Sequence, residues 1–505
     1  MAETGDWVTP RLYGQPWFEK PILYYWAAAI GCRLNLPPEG AARLPSAFAA
    51  FAAAVAIGWL GWKHYGGEQN SLDGPALLAP LIFSTSVAAV GFSRAATPDM
   101  LFSASIALAM ACAAGVLRTR RALRTAEGSN STVRSHETLT LAFFGAFLGL
   151  AVLAKGPAGV LLAGGAIGLW ALATSHWRAA FRLASPVAIG TFCVVSFPWY
   201  ILCAARNPDF LRIFILQHNF QRYLTPVFQH KQPFWFFGWI TLLALLPWTV
   251  LLIPAVREGL RLWRERSWAD SPGFFFACWG FFPILFFSAS QSKLPGYILP
   301  AIPALALICS VGIIRAFQNS RSMSILVVTG LSLFWLALAI FALVKVNRIS
   351  TLETDHGAWL HFAEAALLIT VLLVLIILHA GSRQNLRLAV ASCSLLVVSA
   401  TVTANIRVLP SLDPYLSARP HAAFLRHDLR PDRIFAFHLN RSWNYGLAFY
   451  FRRELPEWSP ADPEAALVLT TRKGLEEIVK AGRFQGDLNE TERGILYVPV
   501  GPLPR

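Results

Sequence analysis

Long apolar stretches recur along most of this chain and constrain its fold more than any other feature. Residues 41–62, 184–203 and 325–344 are each mostly apolar, over the roughly 20 residues a helix needs to span the hydrocarbon of a bilayer. Only 14% of residues are charged and 55% are hydrophobic, with a mean hydropathy of +0.49; a soluble chain carries roughly 25% charge. A very large core or contact with lipid would each explain that shortage, and the segment lengths decide for lipid. Apolar segments lie at 41–62, 74–92, 99–117, 138–154, 157–174, 184–204, 234–254, 273–289, 297–314, 323–345, 357–379 and 388–404, about twelve candidate helices. The expected class is a mainly α, polytopic membrane protein. A shorter patch, 22–30, sits among Trp17, Phe18, Tyr24, Tyr25 and Trp26 and reads as an interfacial helix lying on the membrane.

The net charge of +15 would suggest nucleic acid in a soluble protein. Here it follows a topological pattern, and no nucleic-acid partner is expected. One set of alternate loops holds Arg118, Arg120, Arg121, Arg124 and Arg134; Arg178 and Arg182; Arg257, Arg261, Arg264 and Arg266; Arg315 and Arg321; Arg383 and Arg387. Retention of cationic loops in the cytoplasm puts this set inside. The other set then faces outward: 1–40, 93–98, 206–233, 290–296 and everything beyond 405. Residues 1–20 have no apolar core of a signal peptide, so a further, outward-running helix is expected ahead of Met1. Seven cysteines, with no CxxC pair and most inside apolar spans, argue against a disulfide framework or a cysteine metal site.

Three regions follow: an outer loop with its interfacial helix over 1–40, a transmembrane domain over 41–404, and a small extracytoplasmic α/β domain over 405–505. In the last, β-rich runs at 434–439, 446–451, 466–471 and 495–500 alternate with helical patterns near 418–428 and 473–482.

The outer loops carry the candidate chemistry. Glu19 and Lys20 open the interfacial helix between aromatics, and read either as a carboxylate and ammonium at headgroup level or as snorkelling anchors of an aromatic belt. Asp99 opens an apolar helix after Ala96-Thr97-Pro98. Capping and the helix dipole explain an acid there, while a carboxylate at a membrane mouth is also a functional candidate. In Leu153-Ala154-Lys155-Gly156-Pro157, Gly and Pro explain the reversal; the single outer lysine calls for an anionic partner. His218 and Arg222 are four apart in Gln217-His218-Asn219-Phe220-Gln221-Arg222-Tyr223, a loop that continues to His230 and Lys231. On a helix the pair shares a face, suited to a metal or a phosphate. Lys293 and Tyr297 have the same spacing in a Pro-broken turn, where simple interfacial anchoring also accounts for them. Five outer loops thus bring mostly cationic groups to one membrane depth, which points to an anionic ligand such as a lipid phosphate. No P-loop or Rossmann fingerprint occurs, so no nucleotide cofactor is expected.

These motifs, GDWVTPRLYGQPWFEKPILYYW, AARLPSA, ATPDM, LAKGPAG, QHNFQRY, PFWFF and SKLPGYILPAIPAL, occur in an order that resembles the dolichyl-phosphate-mannose protein mannosyltransferase-like superfamily of GT-C glycosyltransferases. The branch most resembled is the bacterial one that places aminoarabinose on lipid A. The likeness covers roughly residues 5–310 and, beyond them, rests on architecture. It implies an inverting transfer of a hexosyl or pentosyl group from a polyprenyl-phosphate donor to a lipid A-type, glycolipid or protein acceptor. The setting it implies is the periplasmic face of the bacterial inner membrane. It further implies that Lys20, Arg222 and Tyr297, with Lys155 and Lys293 nearby, contact the donor phosphate. Glu19 and His218 match positions that can hold a divalent metal such as zinc, and Asp99 matches the second acidic outer position. The family's first outer loop opens on an Asp-Glu pair ahead of the segment matching Met1-Ala2-Glu3-Thr4, and that aspartate is its expected base. The resemblance therefore implies a base and a first helix preceding Met1, with Asp99 in a lesser role. A transporter or flippase would need midplane charge and repeat symmetry; a catalytically inactive scaffold would be consistent with the missing aspartate.

Overall fold

The computed structural model describes residues 1–66, 74–123, 130–224, 232–349, 356–428, 434–485 and 495–501. The chain divides into two compact units, Met1–Val397 and Val398–Arg505, slightly earlier than the expected boundary after residue 404.

The first unit opens with a two-residue hairpin, β1 (Arg11–Leu12) against β2 (Gln15–Pro16). Helix α1 (Leu23–Arg33) then occupies the expected interfacial segment. The remaining helices are α2 (Pro38–Tyr65), α3 (Pro75–Ser84), α4 (Val87–Phe92), α5 (Asp99–Leu123), α6 (Asn130–Lys155), α7 (Ala158–Thr174), α8 (Trp177–Arg182) and α9 (Pro186–Arg206). A π-helical stretch, Arg212–Gln221, leads into α10 (Arg222–Leu224). After it come α11 (Phe236–Ala244), α12 (Leu252–Arg264), α13 (Pro272–Ser288), α14 (Ile302–Asn319), α15 (Arg321–Ile349), α16 (His356–Ser382) and α17 (Leu386–Thr403). Among the described residues seven helical spans are long and apolar enough to cross a membrane, and a bent pair makes an eighth. Four shorter apolar helices occupy the expected segments that fall below that length.

Two expected helices are broken, and each break satisfies the other. The 74–92 segment divides at Thr85 and Ser86, and the 234–254 segment at residues 245–247. The Val87 amide donates to the Leu246 carbonyl at 2.9 Å, and Trp248 Nε1 donates to Thr85 Oγ1 at 2.8 Å. Ser86 Oγ donates back to the Phe83 carbonyl at 2.7 Å. Freed backbone groups cannot be left bare at membrane depth, so paired breaks are a stable way to interrupt two helices. The core between these elements is close packed: a Cβ on Gly312 would lie 2.6 Å from the Ala255 amide nitrogen, and one on Gly61 2.5 Å from the Pro75 carbonyl.

The second unit carries α18 (Leu409–Leu416), α19 (Ala418–Asp428), α20 (Arg441–Phe451) and α21 (Arg472–Lys480). Its sheet consists of β3 (Ile434–Ala436), β4 (Ala466–Thr470) and β5 (Leu496–Val500). The order is β3-β4-β5, with β3 parallel and β5 antiparallel to β4. Leu469 packs into one buried cluster with Leu425, Ile434 and Leu447, while Val468 joins Phe437, Trp458 and Ile478 in another. Alternation along β4 thus covers both faces of the sheet. The expected strand at 446–451 is instead the second half of α20. Asn440 caps that helix by accepting from the Trp443 amide at 3.0 Å, and its buried Leu447 and Ala448 lie on one side. A cap outside the apolar run decided its conformation. Arg483 is fully buried and donates to the carbonyls of Gly501, Pro460 and Glu464.

Candidate active site

Residues 1–22 contain little regular structure, so their position depends on what they are tied to. Asp6 accepts from the amides of Val8 and Thr9, each at 3.1 Å, and forms ion pairs with Arg11 and Arg206 at 3.6 and 3.5 Å. Hydrogen bonding from the Thr9 amide, then the Val8 amide and the two guanidinium groups, hold its carboxyl below the ordinary value of 3.8 against the opposing effect of burial. Indole groups continue the attachment: Trp26 Nε1 donates to the Trp7 carbonyl at 2.7 Å, and Trp199 Nε1 to the Val8 carbonyl at 2.9 Å. Asn207 donates to Thr9 Oγ1 at 2.9 Å. Next to Glu19, Phe18 is buried edge-on against Phe210, ring centres 5.1 Å apart, within a cluster that includes Trp199 and Phe214. The segment ending in Glu19-Lys20 is therefore pinned to α9 and to the turn after it.

Three more places complete the wall. Lys155 ends α6 and Asp99 begins α5, and the two side chains form a hydrogen-bonded ion pair. Gly156, with φ +84°, lets the chain reverse directly after Lys155. The Lys155 ammonium also lies 4.9 Å from the ring centre of Tyr297 and 5.4 Å from that of Phe102, within the range of a cation–π attraction. Tyr297 sits in the 3₁₀ turn Pro295–Ala301, its ring 4.9 Å from that of Phe287. His218 is carried by the π-helical stretch, a form often associated with functional sites.

These places converge. One cavity of about 570 Å³ is lined by Glu19, Lys20, Lys155, His218, Tyr223, Ser290 and Tyr297. Pro157, Val160, Leu161, Phe214, Phe286 and Phe287 supply much of its apolar wall. An apolar chamber with a few convergent polar groups is the usual form of a ligand site, and its size suits a small ligand. Asp99 stands behind Lys155, and its charge also interacts with Lys20.

Of the residues singled out in the sequence, Glu19, Lys20, Lys155, His218 and Tyr297 line this cavity, and Asp99 holds one of them. Lys293 does not line it. Its ammonium donates to the Ser290 carbonyl at 2.5 Å, and burial lowers its pKa; it braces the turn that presents Ser290. Arg222 begins α10, but its side chain lies outside the described residues, as do His230 and Lys231. Tyr223 lies within a motif quoted above and Ser290 within the outward loop 290–296, and neither was picked out. Tyr223 owes its place to tertiary contacts: its hydroxyl donates to the Phe286 carbonyl at 2.8 Å, and its carbonyl accepts from the Gln291 amide at 2.9 Å.

Glu19 and His218 would be the donors to a metal. Among the described residues no group of three or more His, Cys, Asp or Glu side chains could hold one, and catalytic zinc takes three protein ligands. The donor set falls short of a zinc site.

Residues 1–214 match the family model described as dolichyl-phosphate-mannose-protein mannosyltransferase. The undecaprenyl phosphate-alpha-4-amino-4-deoxy-L-arabinose arabinosyl transferase of Edwardsiella ictaluri is 30% identical over 61% of this chain and 52% of its own length. Its Yersinia enterocolitica counterpart is 31% identical over the same shares. The chain thus spans about half the length of these curated relatives. The crystal structure of ArnT from Cupriavidus metallidurans bound to undecaprenyl phosphate superposes with a TM-score of 0.72 at 20% identity. The superposition covers 99% of this chain and 91% of that one. In family model, in sequence and in membrane fold, this chain is similar to the ArnT-like glycosyltransferases of the GT-C type.

Proposed function

We propose that the chain transfers a sugar from a polyprenyl-phosphate donor to a lipid A-type acceptor on the periplasmic side of a bacterial inner membrane. A glycolipid or protein hydroxyl is the alternative acceptor. The observation that carries this reading is the convergence of Lys20, Lys155 and Tyr297 from three separate stretches onto one cavity with a largely apolar wall. Cations on an apolar wall suit a ligand with a phosphate at one end and a hydrocarbon tail at the other. The relatives are named for an undecaprenyl-phosphate sugar, and the solved neighbour holds undecaprenyl phosphate.

In this mechanism the bond between the sugar's anomeric carbon and the phosphate oxygen breaks as the acceptor oxygen attacks from the opposite face, which inverts the anomeric centre. The departing phosphate gains negative charge, and in this reading Lys20, Lys155 and Tyr297 stabilise it. Groups aimed at charge that grows in the transition state are often the largest single contribution to catalysis. Asp99, committed to Lys155, positions that ammonium. Glu19, the carboxylate on the cavity wall, takes the acceptor's proton as the new bond forms.

The test uses the full chain purified into liposomes with an undecaprenyl-phosphate sugar and lipid A. Lys20→Ala should lower transfer about 10²–10³-fold, as removal of one oxyanion-type donor does, with unchanged melting behaviour. Undiminished transfer by a folded Lys20→Ala chain would refute the assignment.

A further inference from the structure

Away from the donor cavity, the membrane unit holds a second and chemically different chamber. The axis of Trp248–Arg264 is turned 109° from that of α11, so α12 departs sharply from the direction of the helix before it. One side of it is fixed to α14 by the close approach of Ala255 to Gly312. Another side is apolar and uncovered: Ile253, Val256, Leu260 and Trp263 recur at helical spacing and are 48–63% exposed. Between them and the end of α14 lies a cavity of about 710 Å³ lined by Arg257, Arg261, Arg264 and Arg315, facing Glu258 and Glu265.

The ion pairs leave an excess of positive charge. Arg261 is spent on the two carboxylates, bidentate to Glu258 at 2.7 and 2.9 Å and to Glu265 at 2.8 and 2.9 Å. Arg315 adds a looser contact to Glu258 at 3.7 Å. Both acids are thus engaged, and four guanidinium groups face two carboxylates. Arg257, which donates a 3.4 Å hydrogen bond to Ser320 Oγ, and Arg264 carry the surplus. α14 separates this cluster from Tyr297, which lies just before its first turn while Arg315 and Ser320 lie at its last. Eighteen residues of helix rise roughly 27 Å, close to the thickness of the hydrocarbon. The cluster is therefore on the opposite surface of the bilayer from the donor cavity.

We infer that this chamber binds an anionic phospholipid of the surrounding leaflet, its phosphate on Arg257 and Arg264 and its acyl chains against the Ile253, Val256 and Leu260 face. Charge complementarity selects an anionic headgroup, because guanidinium forks match phosphate geometry. The adjoining uncovered apolar face selects a lipid over a free anion. An amphipathic helix with arginines beside a broad apolar side is also the form that lies in a membrane interface.

Native mass spectrometry of the full chain in detergent tests this with phosphatidylglycerol and phosphatidylcholine at equal concentration. The expected result is about a tenfold preference for phosphatidylglycerol, retained by Lys20→Ala and by Arg383→Gln with Arg387→Gln, and abolished by Arg257→Gln with Arg264→Gln. Equal retention of the two lipids, or a preference that survives the Arg257/Arg264 change, overturns the inference. Loss of the preference in Lys20→Ala would assign the lipid to the donor cavity and overturn it too. So would displacement of the lipid by millimolar inorganic phosphate, which would mark a small-anion site. Should the double variant fail to fold, the wild-type chain decides: its melting temperature must rise with phosphatidylglycerol and not with phosphatidylcholine.

Discussion

The two polar surfaces of the membrane unit handle charge in opposite ways. At the cavity proposed for the donor the ionic groups are few and sunken: the Lys155 and Asp99 side chains are only 13% and 20% exposed, and aromatic rings flank the ammonium. On the α12 surface they are many and mostly open to solvent, with Arg261 at 45% and Arg315 at 51% exposure. A charge withdrawn from water interacts strongly with whatever replaces that water. An exposed charge is screened and acts chiefly on orientation and on the membrane surface. Chemistry belongs where the charges are scarce, and topology is set where they are abundant.

Substitutions can break this contrast in order of expected effect. Lys155→Ala should be the most severe, reducing transfer about 10²–10³-fold and leaving the partly buried Asp99 without its partner; a radiolabelled-donor assay alongside a melting curve measures both. Asp99→Asn keeps the shape but removes the charge that orients Lys155. It should cost about 1–3 kcal/mol of stability, since breaking a fully buried pair costs more, and should lower transfer by less than Lys155→Ala. A larger loss of transfer than in Lys155→Ala would make Asp99 itself the group that meets the acceptor. Asp6→Ala removes the clamp that holds the segment leading to Glu19 and Lys20, at about 1 kcal/mol, and should raise KM for the donor more than it lowers kcat. Because the folded pKa of Asp6 is depressed, that clamp is fully present above pH 3.8 and is lost as the pH falls through its lower folded value. Arg261→Ala, on the exposed surface, should change stability by no more than about 1 kcal/mol and leave transfer unaltered; a loss comparable to that of Lys155→Ala would erase the distinction between the surfaces. Chelation should have the smallest effect, none on donor binding measured by calorimetry. A loss restored by zinc would make Glu19 and His218 part of a metal site completed from elsewhere.

Much of the site was readable before folding. Glu19, Lys20, Lys155 and Tyr297 stood out because each is a polar residue at the mouth of an apolar segment, where it needs a reason, and His218 stood out by its four-residue spacing from Arg222. Lys293 met the same criterion but turned inward to the Ser290 carbonyl. A four-residue spacing says which residues share a face, not which way a 3₁₀ turn points them. Tyr223 carried no comparable signal, since its place depends on backbone contacts with Phe286 and Gln291. The 446–451 run was misread as a strand because six residues of mixed aromatic and apolar character fit either period, and the deciding Asn440 cap lies outside the run.

Sequence alone determined that this chain crosses a membrane, because the apolar length needed to do so is a local property and each segment declares its own. It also determined that cationic groups gather in one set of loops, since topology ties alternate loops to the same surface. Tertiary structure alone decided which of those groups meet. Lys155 and Asp99 are far apart in the chain and become a pair only through the packing of α5 against α6, and the break at Leu246 supplies the carbonyl that accepts from the Val87 amide at the break in the 74–92 segment. Periodicity is written over a few neighbouring residues, whereas convergence depends on how whole helices pack.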